Sequence, residues 1–455
     1  TGWFSFPSFY FVVQNIGILI WGQTETGLRI MSAVAGALTV PLLYGLVRQM
    51  VDRLTAVIAA ALLAVAHHHV HFSRIGLNNI WDGLFVTAVL LTFWLGWQSG
   101  RRHWFVVSGA VLGFSQYFYG SMRIVPLIIL VWAAVAFVVQ NGRLRQLFPE
   151  FVLMAYASLI VYLPLALHFV DHPDVFSAPL TRVSIFGEWI ENEAVIRETT
   201  TTAVYLTQLE RSAAGIFLEP LRMWYTPHEP LLLPLGAILF VIGLVMSLRR
   251  PSLHALLLFL VIAGNVFTMS LTNDVPAAQR YMLVPPMVMV FVALPLGRLE
   301  PYLRQKPAFG RYGPLFITAM ATVIVMAINL NFYFFTVYED FVLGGPNTEV
   351  ATKLAYYLTE QDLDELTVHF AGLPRMSFNS HSTLPFLVPQ ANGRDIDPPL
   401  TEPPQEPLSG RNVFVFLPER MEELSLVVQA YPGGAYQEVF DGQRKLLFSL
   451  YVVDR

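Results

Sequence analysis

Long apolar runs separated by short polar turns dominate the chain as far as residue 338. Ten of these runs lack Asp, Glu, Lys and Arg, and their lengths are close to the roughly 20 residues needed to cross the hydrocarbon core of a bilayer. Each is therefore predicted to form a spanning helix. The ten runs are 30–47, 54–73, 83–100, 104–122, 124–142, 151–170, 230–248, 251–273, 281–297 and 312–338.

An earlier apolar segment, 1–24, is also uncharged, but Pro7, Gln14 and Gly17 interrupt it. Its many aromatic residues are typical of an amphipathic helix that lies in the outer membrane interface. An eleventh spanning helix is the alternative. We predict that residues 1–29 are an outer interfacial segment that ends the first outer loop.

The polarity of the chain rises at two later places. Loop 171–229 carries nine carboxylates and four arginines, so it is too polar to span and is predicted to form short helices on the outer membrane face. From about residue 339 the composition becomes that of a soluble domain. Its patterns predict two helices, four strands and a proline-rich cover. These are helices 348–358 and 419–429, strands 366–370, 412–417, 437–440 and 445–453, and cover 385–410.

Composition agrees with a membrane protein. Hydrophobic residues make up 55% of the chain and charged residues only 13%, whereas soluble domains carry about 25% charge. The net charge of −4 gives no reason to expect a nucleic-acid partner. The chain has no cysteine, which excludes disulfides, Cys-ligated metals and thiol catalysis.

Basic residues in the turns predict the orientation, because Lys and Arg accumulate on the cytoplasmic side. One set of alternate turns holds twelve basic residues, and the short turns of the other set hold four. The set with twelve basic residues is therefore predicted to be cytoplasmic, which places loop 171–229 and the domain at 339–455 outside.

Together these patterns predict a mostly α fold class. The protein is expected to be a multi-pass plasma (inner) membrane protein with about ten spanning helices in 30–338, an outer loop at 171–229, and a small extracytoplasmic α/β domain at 339–455.

Four arginines lie on the disfavoured outer side, one at each short turn. A guanidinium there matches the oxygens of a lipid phosphate in a bidentate geometry, although snorkelling to headgroups is the alternative for any single one. We predict that the four converge on one outward-facing cavity that binds the donor's lipid phosphate. They are Arg29, Arg74, Arg123 and Arg280.

The turn 66–82 is the densest polar stretch between two runs. His67 and His71 are one helical turn apart, but no third ligand accompanies them, so a divalent metal is not indicated and histidines lining a wet cavity are preferred. Asp82 shares a helical face with Asn78 and Asn79. A carboxylate at the mouth of a span needs a partner or a wet cavity, so we predict that Asp82 and Asn79 act in catalysis and that Asn78, His67 and His71 line the substrate cavity. A structural pairing of Asp82 is the alternative.

Three other turns supply predicted cavity residues. Gln116, Tyr117 and Tyr119 offer the hydrogen-bonding groups and flat faces that sugars favour, although an interfacial aromatic belt is the alternative. Asp274 lies beside Arg280 in one short outer turn, and Glu25 precedes Arg29 in another. Solvated loop charges are the alternative for both carboxylates.

Four of these turns resemble the GT-C membrane glycosyltransferases, specifically the branch of protein O-mannosyltransferases and the lipid A aminoarabinose transferase. The resembling stretches are Trp21-Gly22 through Tyr44, Phe72-Ser73-Arg74 through Asn79, Gly113 through Arg123, and Ala278-Gln279-Arg280-Tyr281 through Pro286. Their order and predicted sidedness agree with that family. The resemblance covers roughly residues 1–340.

The resemblance implies an inverting transfer of a sugar from a polyprenyl-phosphate donor to a lipid, glycan or protein acceptor at the outer leaflet. Membrane lipids would surround the spanning helices. A carboxylate in the first outer loop would activate the acceptor, and basic groups would hold the departing phosphate. In relatives that acidic motif precedes the segment seen here at Thr1, so the principal catalytic Asp is expected upstream. Relatives often carry an acid where this chain has Asn79, and Asp82 is the nearest carboxylate.

Two other functions remain open from the sequence. A transporter or flippase of lipid-linked saccharides would need paired broken spans or an inverted repeat, and only the span opening at Pro285-Pro286 is broken. A non-catalytic membrane subunit is the other alternative.

Overall fold

The computed structural model describes residues 9–337, 345–364, 366–442 and 444–455, and the chain divides into two compact units at residues 337 and 338. The first unit is built from α-helices joined by short turns. These are α1 Phe9–Trp21, α2 Glu25–Met50, α3 Arg53–Val65, α4 His67–Arg74, α5 Ile80–Ser99, α6 Arg102–Ser115, α7 Val125–Val139, α8 Asn141–Asp171, α9 Pro173–Val183, α10 Glu188–Ile196, α11 Thr201–Ala214, α12 Pro234–Arg249, α13 Leu253–Ser270, α14 Val284–Arg304 and α15 Gly313–Asn331. Three 3₁₀ turns, Gly120–Ile124, Ala278–Arg280 and Pro307–Phe309, and a π-helix, Phe332–Val337, complete this unit.

The predicted fold class is confirmed, since a helix occupies each of the ten predicted runs. Within the described residues, seven helical segments are long and apolar enough to cross a membrane, and the bent pair α3–α4 would make an eighth. The remaining two runs form α6 and α12, which have only 14 and 16 residues.

The predicted single span 54–73 is bent by 54° between α3 and α4. No proline causes the bend. Ala66 adopts φ −59° and ψ 120°, which interrupts the helical hydrogen bonding, and α4 then continues in a new direction with His67, His68, His69 and His71 all buried.

Helix α1 turns the polar side chain of Gln14 inward, whereas that of Asn15 is exposed. Gln14 is buried and donates hydrogen bonds to the Tyr10 hydroxyl (3.0 Å) and the Leu28 carbonyl (3.0 Å), whereas Leu19 is 76% exposed. Gln14 and Gly17, two of the residues that interrupt the apolar segment in sequence, therefore pack against α2, whereas Pro7 lies outside the described residues. The 13 residues of α1 extend about 20 Å, less than the roughly 30 Å thickness of the hydrocarbon core.

Helices α6 and α8 approach each other closely at two glycines spaced four residues apart. An added Cβ atom at Gly109 would lie 2.1 Å from the Met154 carbonyl oxygen, and one at Gly113 would lie 2.3 Å from that of Ser158. This small-residue spacing is one that membrane helices use to pack backbone against backbone.

Loop 171–229, which is predicted to lie on the outer face, contains α9, α10 and α11, so it does form short helices. Its last part is joined to the turn before α14 by backbone hydrogen bonds. Arg222 N–H donates to the Pro276 carbonyl (2.9 Å), and Ala278 N–H donates to the Arg222 carbonyl (2.8 Å). The loop thus helps fix the turn that carries Arg280.

The second unit is the predicted α/β domain. Its elements are α16 Gly345–Thr359, β1 Leu366–Ala371, α17 Thr383–Leu387, β2 Asn392–Asp395, β3 Arg411–Phe416, α18 Leu424–Ala430, β4 Ala435–Phe440 and β5 Leu446–Asp454. The strand order is β2-β1-β3-β5-β4, in which β1 runs parallel to β2 and β3, and β5 runs antiparallel to β3 and β4. Apolar clusters cover both faces of the sheet. The edge strand β2 lies inside the predicted proline-rich cover.

Candidate active site

Three turns of the first unit meet at one end of its helices. The Asn78 amide donates to the Phe118 carbonyl (3.1 Å), which joins the turn before α5 to the turn before α7. The Asn79 amide donates to the Gln279 carbonyl (3.1 Å), which joins the same turn to the one before α14. Residues separated by about 200 positions in sequence are thereby held together.

Asp82 lies in the first turn of α5 and is completely buried. Neither carboxylate oxygen makes a hydrogen bond of ordinary geometry, although the Ser121 hydroxyl lies close enough to interact with it. Tyr119 is within electrostatic range of the same carboxylate. The turn fits because Gly83 has no side chain, since a Cβ atom there would lie 3.1 Å from the Met282 carbonyl oxygen.

Arg280 supplies the cation of this cluster. Its guanidinium donates to the Thr272 hydroxyl (2.5 Å) and the Asp274 carbonyl (3.4 Å), and its own carbonyl accepts from the Asn265 amide (2.9 Å). Burial lowers the pKa of Arg280 from its ordinary value, while the nearby Tyr119 and Asp274 raise it.

Tyr119 connects the two charged residues. It is within electrostatic range of both Arg280 and Asp82, and its hydroxyl hydrogen-bonds to Asn79. A phenol is protonated at neutral pH, so the Tyr119 hydroxyl can donate a hydrogen bond. A carboxylate, an amide and a guanidinium therefore all lie within interaction range of the Tyr119 phenol.

This cluster has more hydrogen-bonding capacity than the chain itself uses. Both Asp82 oxygens and the side-chain oxygen of Gln279 are buried without a protein partner of ordinary geometry. Buried polar atoms normally have partners, because leaving one without a partner costs about 1–3 kcal/mol. A hydroxyl-rich ligand would satisfy them.

The other three predicted phosphate-binding arginines do not join this cluster through their contacts. Arg29 forms an i,i+4 ion pair with Glu25 (3.1 Å), and both side chains are partly exposed. This contact agrees with the solvated-charge alternative rather than with a shared phosphate site. Glu25 is thus paired with Arg29.

Arg74 and Arg123 contact aromatic rings instead. The Arg74 guanidinium lies over the rings of Tyr333 (5.6 Å) and Phe334 (5.3 Å). The Arg123 guanidinium lies over Phe176 (4.4 Å) and donates to its carbonyl (3.1 Å). Among the described contacts, only those of Arg280 involve the Asp82 cluster, and the convergence of the four arginines stays a prediction.

The histidines predicted to line a wet cavity are packed in the protein interior. His67 is completely buried, with its Nδ1 atom 2.8 Å from the Tyr225 hydroxyl. His71 is stacked on the Tyr225 ring (4.1 Å between centroids), and its Nε2 atom is 3.1 Å from the Trp224 carbonyl. Both histidines hold the outer loop against α4. No group of three His, Asp or Glu side chains within the described residues is arranged to bind a metal.

The remaining predicted residues have structural roles or lie at the edge of the cluster. Gln116 donates to the Leu112 carbonyl (3.2 Å) within its own helix, and the Tyr117 hydroxyl donates to the Val161 carbonyl of α8 (3.0 Å). Asp274 is exposed beside Arg280. Of the three aromatic-turn candidates, only Tyr119 joins the cluster.

Sequence reasoning did not select Ser121 or Gln279. Both lie within motifs that drew attention for other residues, Ser121 between Tyr119 and Arg123, and Gln279 next to Arg280. Their position in 3₁₀ turns directs them toward Asp82 and Asn79. The only signal in the sequence is their polarity within otherwise apolar turns.

Known proteins match this chain in part by sequence. Residues 6–169 match the profile of the dolichyl-phosphate-mannose-protein mannosyltransferase family. Dolichyl-phosphooligosaccharide-protein glycotransferase 3 of Archaeoglobus fulgidus is 26% identical over 203 residues, which are 40% of this chain and 23% of that protein. The chain thus spans less than a quarter of the length of that curated relative.

Solved structures can be aligned with almost the whole length of this chain. One is ArnT from Cupriavidus metallidurans bound to undecaprenyl phosphate, with a TM-score of 0.55 and 16% sequence identity. The alignment covers 98% of this chain and 87% of the ArnT chain. Archaeal oligosaccharyltransferase AglB from Archaeoglobus fulgidus, in complex with an inhibitory peptide and a dolichol-phosphate, has a TM-score of 0.54 at 15% identity over 98% of this chain and 66% of its own. The predicted resemblance is confirmed: the chain has the fold of GT-C membrane glycosyltransferases, and residues 6–169 match the protein mannosyltransferase family.

Proposed function

We propose that this protein is an inverting glycosyltransferase that moves a sugar from a polyprenyl-phosphate donor to an acceptor at the outer membrane leaflet. The observation that carries the proposal is the meeting of three turns, fixed by the Asn79–Gln279 hydrogen bond, around Asp82 and Arg280. The lipid phosphates bound by ArnT and AglB, which share the fold, support a donor of this class.

The proposed reaction needs a group that stabilises the departing phosphate and groups that orient the reacting atoms. An acceptor oxygen or nitrogen attacks the anomeric carbon of the sugar and gives up its proton to a general base. The bond from the anomeric carbon to the phosphate oxygen breaks, and its electron pair leaves with the lipid phosphate. Arg280 is the nearest described cation for the charge that develops on the phosphate. Asp82, Asn79 and Tyr119 would hold sugar or acceptor hydroxyls through hydrogen bonds, which orients the reacting atoms.

Orientation in the membrane belongs to the same proposal. The twelve-to-four bias of basic residues favours an outward-facing Asp82 cluster and an extracytoplasmic α/β domain in the plasma (inner) membrane. The acceptor would be a lipid, a glycan or a protein. AglB was solved with a peptide, which supports an acceptor of that kind without naming one.

The proposal is tested by following the release of polyprenyl phosphate from a radiolabelled polyprenyl-phosphate sugar in membranes that contain the full-length protein. We expect Asp82→Asn and Arg280→Gln each to slow release by about a hundredfold or more, because each removes a charge from the reacting region. The matched controls are Asp174→Asn and Arg197→Gln in the outer loop, and they should release product at the unmodified rate.

Thermal unfolding of each variant separates a catalytic loss from a folding loss. Asp82→Asn should unfold at a temperature close to that of the unmodified protein, since the neutral amide replaces a carboxylate of nearly the same shape. Full donor turnover by Asp82→Asn would refute its role. Movement of the intact donor across the membrane without sugar transfer would favour the flippase alternative.

A further inference from the structure

Two cavities lie at the end of the helices opposite the Asp82 cluster. The smaller has a volume of about 480 Å³, the larger about 730 Å³, and they share Ser252 and His254 in their walls. Trp94 lines the larger cavity and lies twelve residues after Asp82 in α5, which corresponds to about 18 Å along the helix. These cavities are therefore separate from the candidate active site.

The smaller cavity carries concentrated positive charge. Arg249 and Arg250 at the end of α12 and Arg298 of α14 line it, and no carboxylate is among its lining residues. Within the described part of the chain, none of these three guanidinium groups forms a side-chain ion pair or hydrogen bond with another residue. All three side chains are exposed, and three cations grouped without a carboxylate attract an anion from the surroundings.

The nearest carboxylate in sequence is already occupied. Asp52 follows Val51 of the cavity wall, and its two oxygens accept hydrogen bonds from the backbone N–H (2.8 Å) and hydroxyl (2.9 Å) of Thr55. It caps α3 and is committed to that role. Ser252 and His254, 3.0 Å apart, add neutral hydrogen-bonding groups to the wall.

The rest of the wall is apolar and adjoins a surface suited to acyl chains. Leu258, Phe291 and Leu294 line the cavity. On α12, Val245 and Leu248 flank two lining residues and are 40% and 69% exposed, as expected for a helix face in contact with lipid. A ligand that fits both parts has an anionic head and an apolar tail.

We propose that this arginine cavity binds the phosphodiester headgroup of an anionic phospholipid. The three arginines would contact the phosphate, and the acyl chains would lie along the exposed face of α12. The cavity lies among the turns that carry the excess of basic residues, which is the side where anionic lipids attract juxtamembrane cations. The proposal does not depend on glycosyl transfer.

The test measures thermal unfolding of the full-length protein in nanodiscs of phosphatidylglycerol and of phosphatidylcholine. The unmodified protein should unfold at a higher temperature in phosphatidylglycerol. The variant Arg249→Gln/Arg250→Gln/Arg298→Gln should lose most of that difference, and native mass spectrometry should show phosphatidylglycerol binding weakened by roughly a hundredfold, as expected when three cations near the headgroup are removed.

A charge-matched control separates the cavity from a general effect of net charge. The variant Arg101→Gln/Arg145→Gln/Arg311→Gln removes three basic residues from turns of the same set without altering either cavity wall, and it should keep the full dependence on phosphatidylglycerol. Equal losses in both variants, or no loss in the cavity variant, would overturn the proposal. Full stabilisation in phosphatidylcholine by inorganic phosphate alone would also overturn it, since the ligand would then be a free anion.

Discussion

At the scale of single residues, buried polar groups differ in whether the chain provides their partners. One ring nitrogen of each of His67, His68, His69 and His71 lies within 3.1 Å of a protein oxygen, although the second ring nitrogen of the first three is buried without a partner. Neither oxygen of Asp82 has a protein partner of ordinary geometry. A group held by at least one protein contact stabilises the fold, whereas a group whose polar atoms all lack such a contact is a candidate site for a ligand. The histidines therefore hold segments of the fold together, and the candidate functional residues follow them in the chain.

His67 tests this distinction. His67→Leu should lower stability by about 1–3 kcal/mol, because the buried Tyr225 hydroxyl loses its partner. The double variant His67→Leu/Tyr225→Phe should recover part of that loss, since neither polar group remains. Thermal unfolding in detergent measures both effects. Unchanged stability with abolished sugar transfer would instead support the substrate-cavity role predicted from sequence.

At the scale of elements, the position of the aromatic turn before α7 depends on how closely α6 packs on α8. The glycines of α6 bring the two backbones together, and Tyr117 at the end of α6 then reaches the Val161 carbonyl of α8. Tyr119 and Ser121 follow directly in the chain. The placement of Tyr119 and Ser121 beside Asp82 therefore depends on the two glycines of α6.

Gly109→Ala should therefore destabilise the protein although alanine favours helices. The added Cβ atom would meet the Met154 carbonyl, and overpacking of this kind costs typically 1–3 kcal/mol. Gly142→Ala in α8 is the matched control, because no atom lies within 4 Å of its added Cβ, and it should be neutral or stabilising. The unfolding temperatures of the two variants test this prediction. Equal temperatures would mean that α6 and α8 can move apart without a loss of stability.

At the scale of the whole molecule, the orientation is testable because the chain has no cysteine. Single cysteines at the exposed positions Lys306 and Arg101 should react with a membrane-impermeant maleimide only after the membrane is opened. Cysteines at the exposed positions Thr199 and Glu402 should react in intact cells. Labelling of Lys306→Cys in intact cells would reverse the predicted orientation. Gly215 is unsuitable as a probe, since an added Cβ would lie 2.3 Å from the Tyr281 hydroxyl.

The sequence by itself determined the properties that depend on local composition and period. Apolar length located the membrane helices, short apolar runs located four of the five strands of the second unit, and ordered short motifs identified the GT-C resemblance that the fold confirms. These signals are local, because each helix or strand must bury or expose its own side chains. The same reasoning could not predict the bend at Ala66, because no proline in this run indicates one.

Only the tertiary structure decided which polar residues meet. Arg29, Arg74, Arg123 and Arg280 occupy similar positions in the sequence, but their contacts differ. Arg29 pairs with the preceding turn of its own helix, Arg74 and Arg123 contact aromatic rings, and Arg280 interacts with Tyr119 of the Asp82 cluster. The physical reason is that a side chain's partner depends on contacts between segments far apart in the chain. Asn79 and Gln279 are 200 residues apart, and no local pattern records that they touch.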